Sequence, residues 1–95
     1  MGTNDNFRIR VLTPAGLVLD EETDSVKIPS IDGEIGVLPM HTKYSGLLGH
    51  GVLEFTGPSG VRRLTINGGL SQFSRKTLTI LADKVEDEAG LGDTV

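Results

Sequence analysis

Apolar and polar residues alternate along most of this chain with a period of two. Arg8 and Arg10 separate Phe7, Ile9 and Val11, and Lys27 separates Val26 from Ile28. Successive side chains of a strand point to opposite faces, so this spacing predicts strands with one buried face. Leu17 to Asp20, Tyr44 to Leu48, Val52 to Phe55, Arg62 to Asn67, Leu70 to Phe73 and Thr77 to Leu81 read as further short strands. Turn chemistry stands between them at Thr13-Pro14-Ala15-Gly16, Ser30-Ile31-Asp32-Gly33, Gly57-Pro58-Ser59-Gly60 and Ser74-Arg75-Lys76. Proline presets φ in such turns and glycine accepts positive φ. Gly49-His50-Gly51 and Gly68-Gly69 read as breaks between strands.

Glu34 to Leu38 is a strand interrupted by Gly36, which predicts a bulge or a close backbone approach, and Pro39 stops it. Only Asp83 to Ala89 could wind into a turn of helix, and its like charges predict fraying instead. Spacings this short leave no room for crossover helices. The expected fold is therefore all-β: an antiparallel β-sandwich of about eight to ten short strands with a short acidic C-terminal tail. The expected organisation is a flexible N-terminus over 1–6, one sandwich domain over 7–83 and a disordered acidic tail over 84–95.

Composition narrows the function. The chain has 95 residues, no cysteine and no tryptophan, which excludes disulfides and thiolate metal sites. Phe7, Tyr44, Phe55 and Phe73 are the full set of aromatics, too few for a stacking platform along single-stranded nucleic acid. No apolar run approaches the ~20 residues of a membrane span. The net charge of −4 is carried at the end of the chain. Residues 1–82 balance eight acids with eight bases, whereas 83–95 set Asp83, Glu86, Asp87, Glu88 and Asp93 against Lys84. A neutral body does not suit a binder of phosphate backbones.

Catalytic constellations are missing from the pattern. His41 and His50 stand nine apart on separate loops with no helper ligands, so no metal site is expected. No serine occupies a nucleophile elbow. The glycine turns lack the Lys and Ser/Thr of a phosphate-cradling loop, so no nucleotide site and no cofactor are expected. The most specific stretch is Asp32-Gly33-Glu34-Ile35-Gly36-Val37-Leu38-Pro39-Met40-His41, an acidic turn, an apolar strand and a Pro-terminated loop. Read alone, it is either an edge strand with its loop or a loop presented to a protein partner. A free-standing sandwich module binding a carbohydrate or a protein, and a small enzyme, remain as rival readings.

With its flanks, that stretch resembles the epsilon subunit of F-type ATP synthase, in particular its N-terminal β-sandwich domain. The resemblance rests on Val11 to Gly16, Val26 to Pro29, Gly33 to Pro39 with His41, Leu48 with Gly51-Val52, Gly68-Gly69-Leu70, and Leu78 to Asp83, in that order across 7–83. The sequence departs from the usual pattern at Met40, where the family has glycine, and at Thr42-Lys43, where it has Ala-Pro. The resemblance implies a non-catalytic subunit of a proton-translocating complex, peripheral on the cytoplasmic face of a bacterial inner membrane. It implies two partners, the gamma subunit and the c-ring. Asp32, Glu34 and His41 correspond by position to a c-ring-facing loop, and Thr13 and Lys43 to gamma contacts. Val37 and Leu38 either anchor one of these contacts or fill the core, and the core is the preferred reading. The family's C-terminal helical hairpin, with its brake on hydrolysis and its ATP-binding motif, has no counterpart in residues 84–95, so neither property is expected.

Overall fold

The computed structural model describes residues 6–37, 43–57 and 60–87. Seven strands make up the described fold: β1 (Phe7–Thr13), β2 (Gly16–Thr23), β3 (Val26–Ser30), β4 (Gly33–Val37), β5 (Tyr44–Gly57), β6 (Gly60–Ser74) and β7 (Thr77–Asp87). They form one sheet in the order β2-β1-β7-β6-β5-β3-β4. Every adjacent pair is antiparallel except β1 and β7, which run parallel. The expected eight to ten short strands are thus seven, because β5 and β6 each join two segments into strands of 14 and 15 residues.

The sheet folds over on itself. Glu21 on β2 and Arg62 on β6 lie three strands apart in the order, yet Arg62 Nη1 donates to Glu21 Oε2 at 3.2 Å. The fold line crosses β5, β6 and β7 at Gly49, Gly68 and Asp83. Regular pairs such as Leu48↔Gly69 and Asn67↔Lys84 flank this line, and none falls on it. The buried set changes parity there in all three strands. Leu48 gives way to Leu53 and Phe55, Leu64 and Ile66 to Ser71 and Phe73, and Leu78, Ile80 and Ala82 to the half-buried Val85. Period-two alternation broken at Gly68-Gly69 signals a break on paper; in space the strand continues round a corner.

Gly69 makes the corner possible. Its φ is +129°, and a Cβ there would overlap the Leu81 carbonyl oxygen and lie 2.8 Å from the Cα of Ala82. By contrast, Gly36 has open space where a Cβ would sit, and β3 and β4 pair without interruption from Val26↔Val37 to Ser30↔Gly33. The bulge or close approach expected at Gly36 is therefore absent. A true irregularity lies instead between β1 and β2, where the register passes from Val11↔Leu19 to Leu12↔Leu17. Val18 is left as the extra residue, and Leu17 turns outward beside Leu12 while Leu19 stays buried.

Among the described residues the two layers enclose a core of fifteen buried apolar side chains, including Ile9, Ile28, Leu53, Phe55, Leu64, Ile66, Phe73 and Ile80. Phe7 and Phe73 meet edge to face with centroids 5.5 Å apart at 87°. Buried Thr23 satisfies itself locally, donating to the Ser25 carbonyl at 2.9 Å and accepting from the Ser25 amide at 3.2 Å. Beyond residue 83 the chain does not leave the sheet. Lys84, Val85, Glu86 and Asp87 pair with Asn67, Ile66, Thr65 and Leu64, so the strand runs four residues past the boundary expected for the tail.

A leucine row as candidate docking face

Following the pairings across the outer side of the first layer gives one row of side chains per two residues. Leu47 stands opposite Leu70, Leu70 opposite Leu81, Leu81 opposite Leu12, and Leu12 opposite Leu17. Five leucines on five strands therefore form one continuous line. Leu47 is 53% exposed, Leu70 49%, Leu81 45% and Leu17 53%, while Leu12 is half-buried. The next row on the same face is Ser45, Gln72, Thr79, Arg10 and Asp20, all polar. The change from one row to the next marks a bounded apolar stripe, and a continuous stripe of this kind marks a contact surface.

The sequence hides this row because each leucine comes from a different strand. Within its own strand each is a single apolar residue among polar outward neighbours. Only strand order and register line them up.

Both ends of the row finish at turns. At the β5 end, the amide of Ile31 donates to the Leu47 carbonyl at 3.3 Å. Ile31 is itself 60% exposed and continues the stripe into the β3–β4 turn. That turn carries Asp32 and leads into Glu34, both exposed. The amide of Asp32 donates to Ser30 Oγ at 3.3 Å, and Gly33 completes the turn at φ +119°. At the β2 end, Thr13 opens the β1–β2 turn, where its Oγ1 accepts from the Ala15 amide at 3.1 Å. Asp32 and Thr13 thus stand near opposite ends of one stripe. Lys43 is exposed, immediately before Tyr44, whose partner is Phe73. It lies four residues along β5 from Leu47, so the fold does not bring it to the row or to Thr13. His41 and Leu38 lie outside the described residues; Val37 pairs with Val26 on β4.

The outer side of the second layer is different in kind. Lys27, Glu54 and Arg63 share one row, with Arg63 Nε donating to Glu54 Oε1 at 3.3 Å. Val52, Thr65 and Glu86 share the next row, and His50, Asn67 and Lys84 the one after it. Charges of both signs alternate here, so this face carries no net field for a charged partner. Among the described residues no group of three or more His, Asp or Glu side chains is placed to hold a metal ion. Phe7, Phe55 and Phe73 are buried and Tyr44 is half-buried, donating to or accepting from Ser71 Oγ at 3.2 Å. No aromatic is presented as a sugar-stacking surface.

Comparison with known proteins agrees with this fold. The family described as "ATP synthase, Delta/Epsilon chain, beta-sandwich domain" matches residues 6–88. The ATP synthase epsilon chain of Desulfitobacterium hafniense is 39% identical over 80 residues, covering 84% of this chain and 61% of that one. The epsilon chain of Nitrobacter winogradskyi is 33% identical over 94 residues, covering 94% and 70%. A chain in the Euglena gracilis mitochondrial ATP synthase, OSCP/F1/c-ring in rotational state 1, superposes with a TM-score of 0.79 at 20% identity, over 99% of this chain and 64% of its own. A chain in the Tetrahymena thermophila mitochondrial ATP synthase central stalk/c-ring gives a TM-score of 0.72 at 15% identity, over 84% and 65%. This chain spans about three fifths of the length of the D. hafniense relative.

Proposed function

The chain belongs to the ATP synthase delta/epsilon chain family, and from that membership we propose that it serves as a passive coupler in the central stalk. In this reading the leucine row docks on the gamma subunit. The β3–β4 turn, with Asp32 and Glu34, faces the polar loops of the c-ring, and His41 joins it by position. The chain sits peripherally on the cytoplasmic face of a bacterial inner membrane, as part of a complex that carries protons through its ring. The chain itself performs no chemistry.

The observation that carries this reading is the row from Leu17 to Leu47. Half-exposed leucines gain on the order of 1 kcal/mol each when covered, before the costs of association are subtracted. Five in line give a partner a long shallow track rather than a point contact. A track laid across five hydrogen-bonded strands is stiff, because Leu12, Leu81 and Leu70 are held by ladders on both sides and Leu17 by the ladder to β1. Stiffness is what a torque-bearing wedge requires. The acidic turn adds little binding energy, since exposed ion pairs contribute about 0–1 kcal/mol, but it sets register against cations on a partner. The family match and the likeness in fold to a chain of the Tetrahymena ATP synthase central stalk/c-ring support the same assignment.

The test is co-expression with the gamma subunit of the same organism. Leu70→Asp is expected to leave the sandwich folded and to remove the chain from the gamma complex. Retention of Leu70→Asp in that complex at the wild-type level would overturn the reading.

A further inference from the structure

One feature of the docking face is not apolar. Where the β1–β2 turn meets the fold line of β7, two adjoining open depressions of about 290 and 330 Å³ share Thr13, Pro14 and Asp83 in their walls. The first is floored by Leu12 and Leu81, two members of the leucine row. The notch is therefore continuous with the stripe and lies towards its β2 end.

Asp83 gives the notch its charge. It sits on the fold line beside Gly68, where a Cβ on the glycine would come within 2.8 Å of Asp83 Oδ2. Its side chain is exposed, and among the described residues no cation lies within ion-pair distance of it. The other aspartate on this outer face is already occupied: Asp20 holds Arg8 at 2.9 Å and Arg10 at 3.6 Å. The neighbouring Lys84 shares a register row with Asn67 and His50 and also lines the wall of the second depression, without forming an ion pair with Asp83. Asp83 is thus a free carboxylate at the lip of an apolar recess, on a face that a protein partner covers.

We propose that this notch seats an arginine of the gamma subunit, with Asp83 as its counter-ion. The inference rests on the docking reading above and adds the chemistry of one contact. A guanidinium fits because its aliphatic stem packs on Leu12 and Leu81 while its planar head stacks on Pro14 and forks to a carboxylate. Arginine anchors of this kind recur among the few interface residues that dominate affinity. Docking covers Asp83, so leaving it without a cation in the complex would strand a desolvated charge. The partner must supply that cation.

The experiment measures the affinity of the purified chain for the cognate gamma subunit, with Asp83→Asn, Lys27→Ala and Leu70→Asp in parallel. Asp83→Asn preserves shape and is expected to weaken binding about tenfold and to flatten its salt dependence. Lys27→Ala, which removes an exposed cation from the outer side of the second layer, is expected to bind as the wild type does. An alanine scan of the arginines on gamma should find one whose loss costs nothing further in the Asp83→Asn background. If Leu70→Asp loses binding while Asp83→Asn binds like the wild type or tighter, the arginine notch is wrong and the docking face stands. If Leu70→Asp binds normally, the face itself is wrong, whatever Asp83→Asn does.

Discussion

Gly69 of β6 lies directly against the backbone of Leu81 on β7, so close that a Cβ on the glycine would overlap the leucine carbonyl oxygen. Leu81 belongs to the exposed row and Gly69 flanks the fold line, so one contact joins the docking face to the corner that shapes the sandwich. Gly69→Ala adds both a clash and an L side chain at φ +129°. It is expected to cost about 3 kcal/mol or more in urea unfolding. Gly36→Ala, placed in open space with ordinary strand geometry, is expected to be neutral or to stabilise by about 0.5 kcal/mol. Equal behaviour of the two variants would contradict the account of the corner.

The β6–β7 turn holds Arg75 at φ 54° and Lys76 at φ 60°, two non-glycine residues in the left-handed region. This is the geometry of a type I′ hairpin turn, which favours Asn-Gly. Arg75→Asn combined with Lys76→Gly is expected to raise stability by about 1 kcal/mol, read as a higher urea midpoint at unchanged m-value.

The closed edge of the sandwich is tied by Arg62, which pairs with Glu21 at 3.2 Å and lies 5.9 Å from the centroid of the Phe55 ring. Both side chains of the pair are 30% exposed, so solvent screens it. A double-mutant cycle of Glu21→Gln and Arg62→Met should give a coupling of about 1 kcal/mol that shrinks in 1 M salt. A coupling that salt does not touch would mean that packing on Phe55, not charge, joins the layers.

Truncation separates strand from tail. Ending the chain after Asp83 removes Val85 from the core margin and four ladder pairs of β7. That loss is expected to cost about 2 kcal/mol. Ending it after Asp87 keeps the whole ladder and should leave the unfolding midpoint unchanged. Equal midpoints for the two truncations would show that residues 84–87 contribute nothing to the sheet.

Glu34→Lys reverses a charge on an exposed edge strand with no ion-pair partner among the described residues. The isolated fold should keep its stability within about 0.5 kcal/mol. In the assembled synthase, proton-driven ATP synthesis is expected to fall. Normal synthesis with this variant would remove Glu34 from the c-ring contact.

Much of this was legible before any coordinates. Alternation at Phe7-Ile9-Val11 and at Leu78-Ile80 named strands and their buried faces, because each is decided by neighbours two residues away. The turns at Thr13 to Gly16 and at Ser74 to Lys76 were equally local. The corner was misread, because a parity change at Gly68-Gly69 and at Gly49 looks the same on paper whether the strand stops or bends. The strand nature of 84–87 was hidden for a related reason: Lys84, Glu86 and Asp87 have poor strand propensity, and β6 supplies the hydrogen bonds that override it.

The local pattern by itself determined an all-β chain with a body of balanced charge and the acidic turn at Asp32. Strand order decided the rest. Leu12, Leu17, Leu47, Leu70 and Leu81 are separated by up to 69 residues of chain, and each alone is an ordinary leucine at or near the surface. They become a surface only when β1 is inserted parallel between β7 and β2, and when the extra residue at Val18 turns Leu17 outward. A docking face is a relation between strands, and no window along one strand contains it.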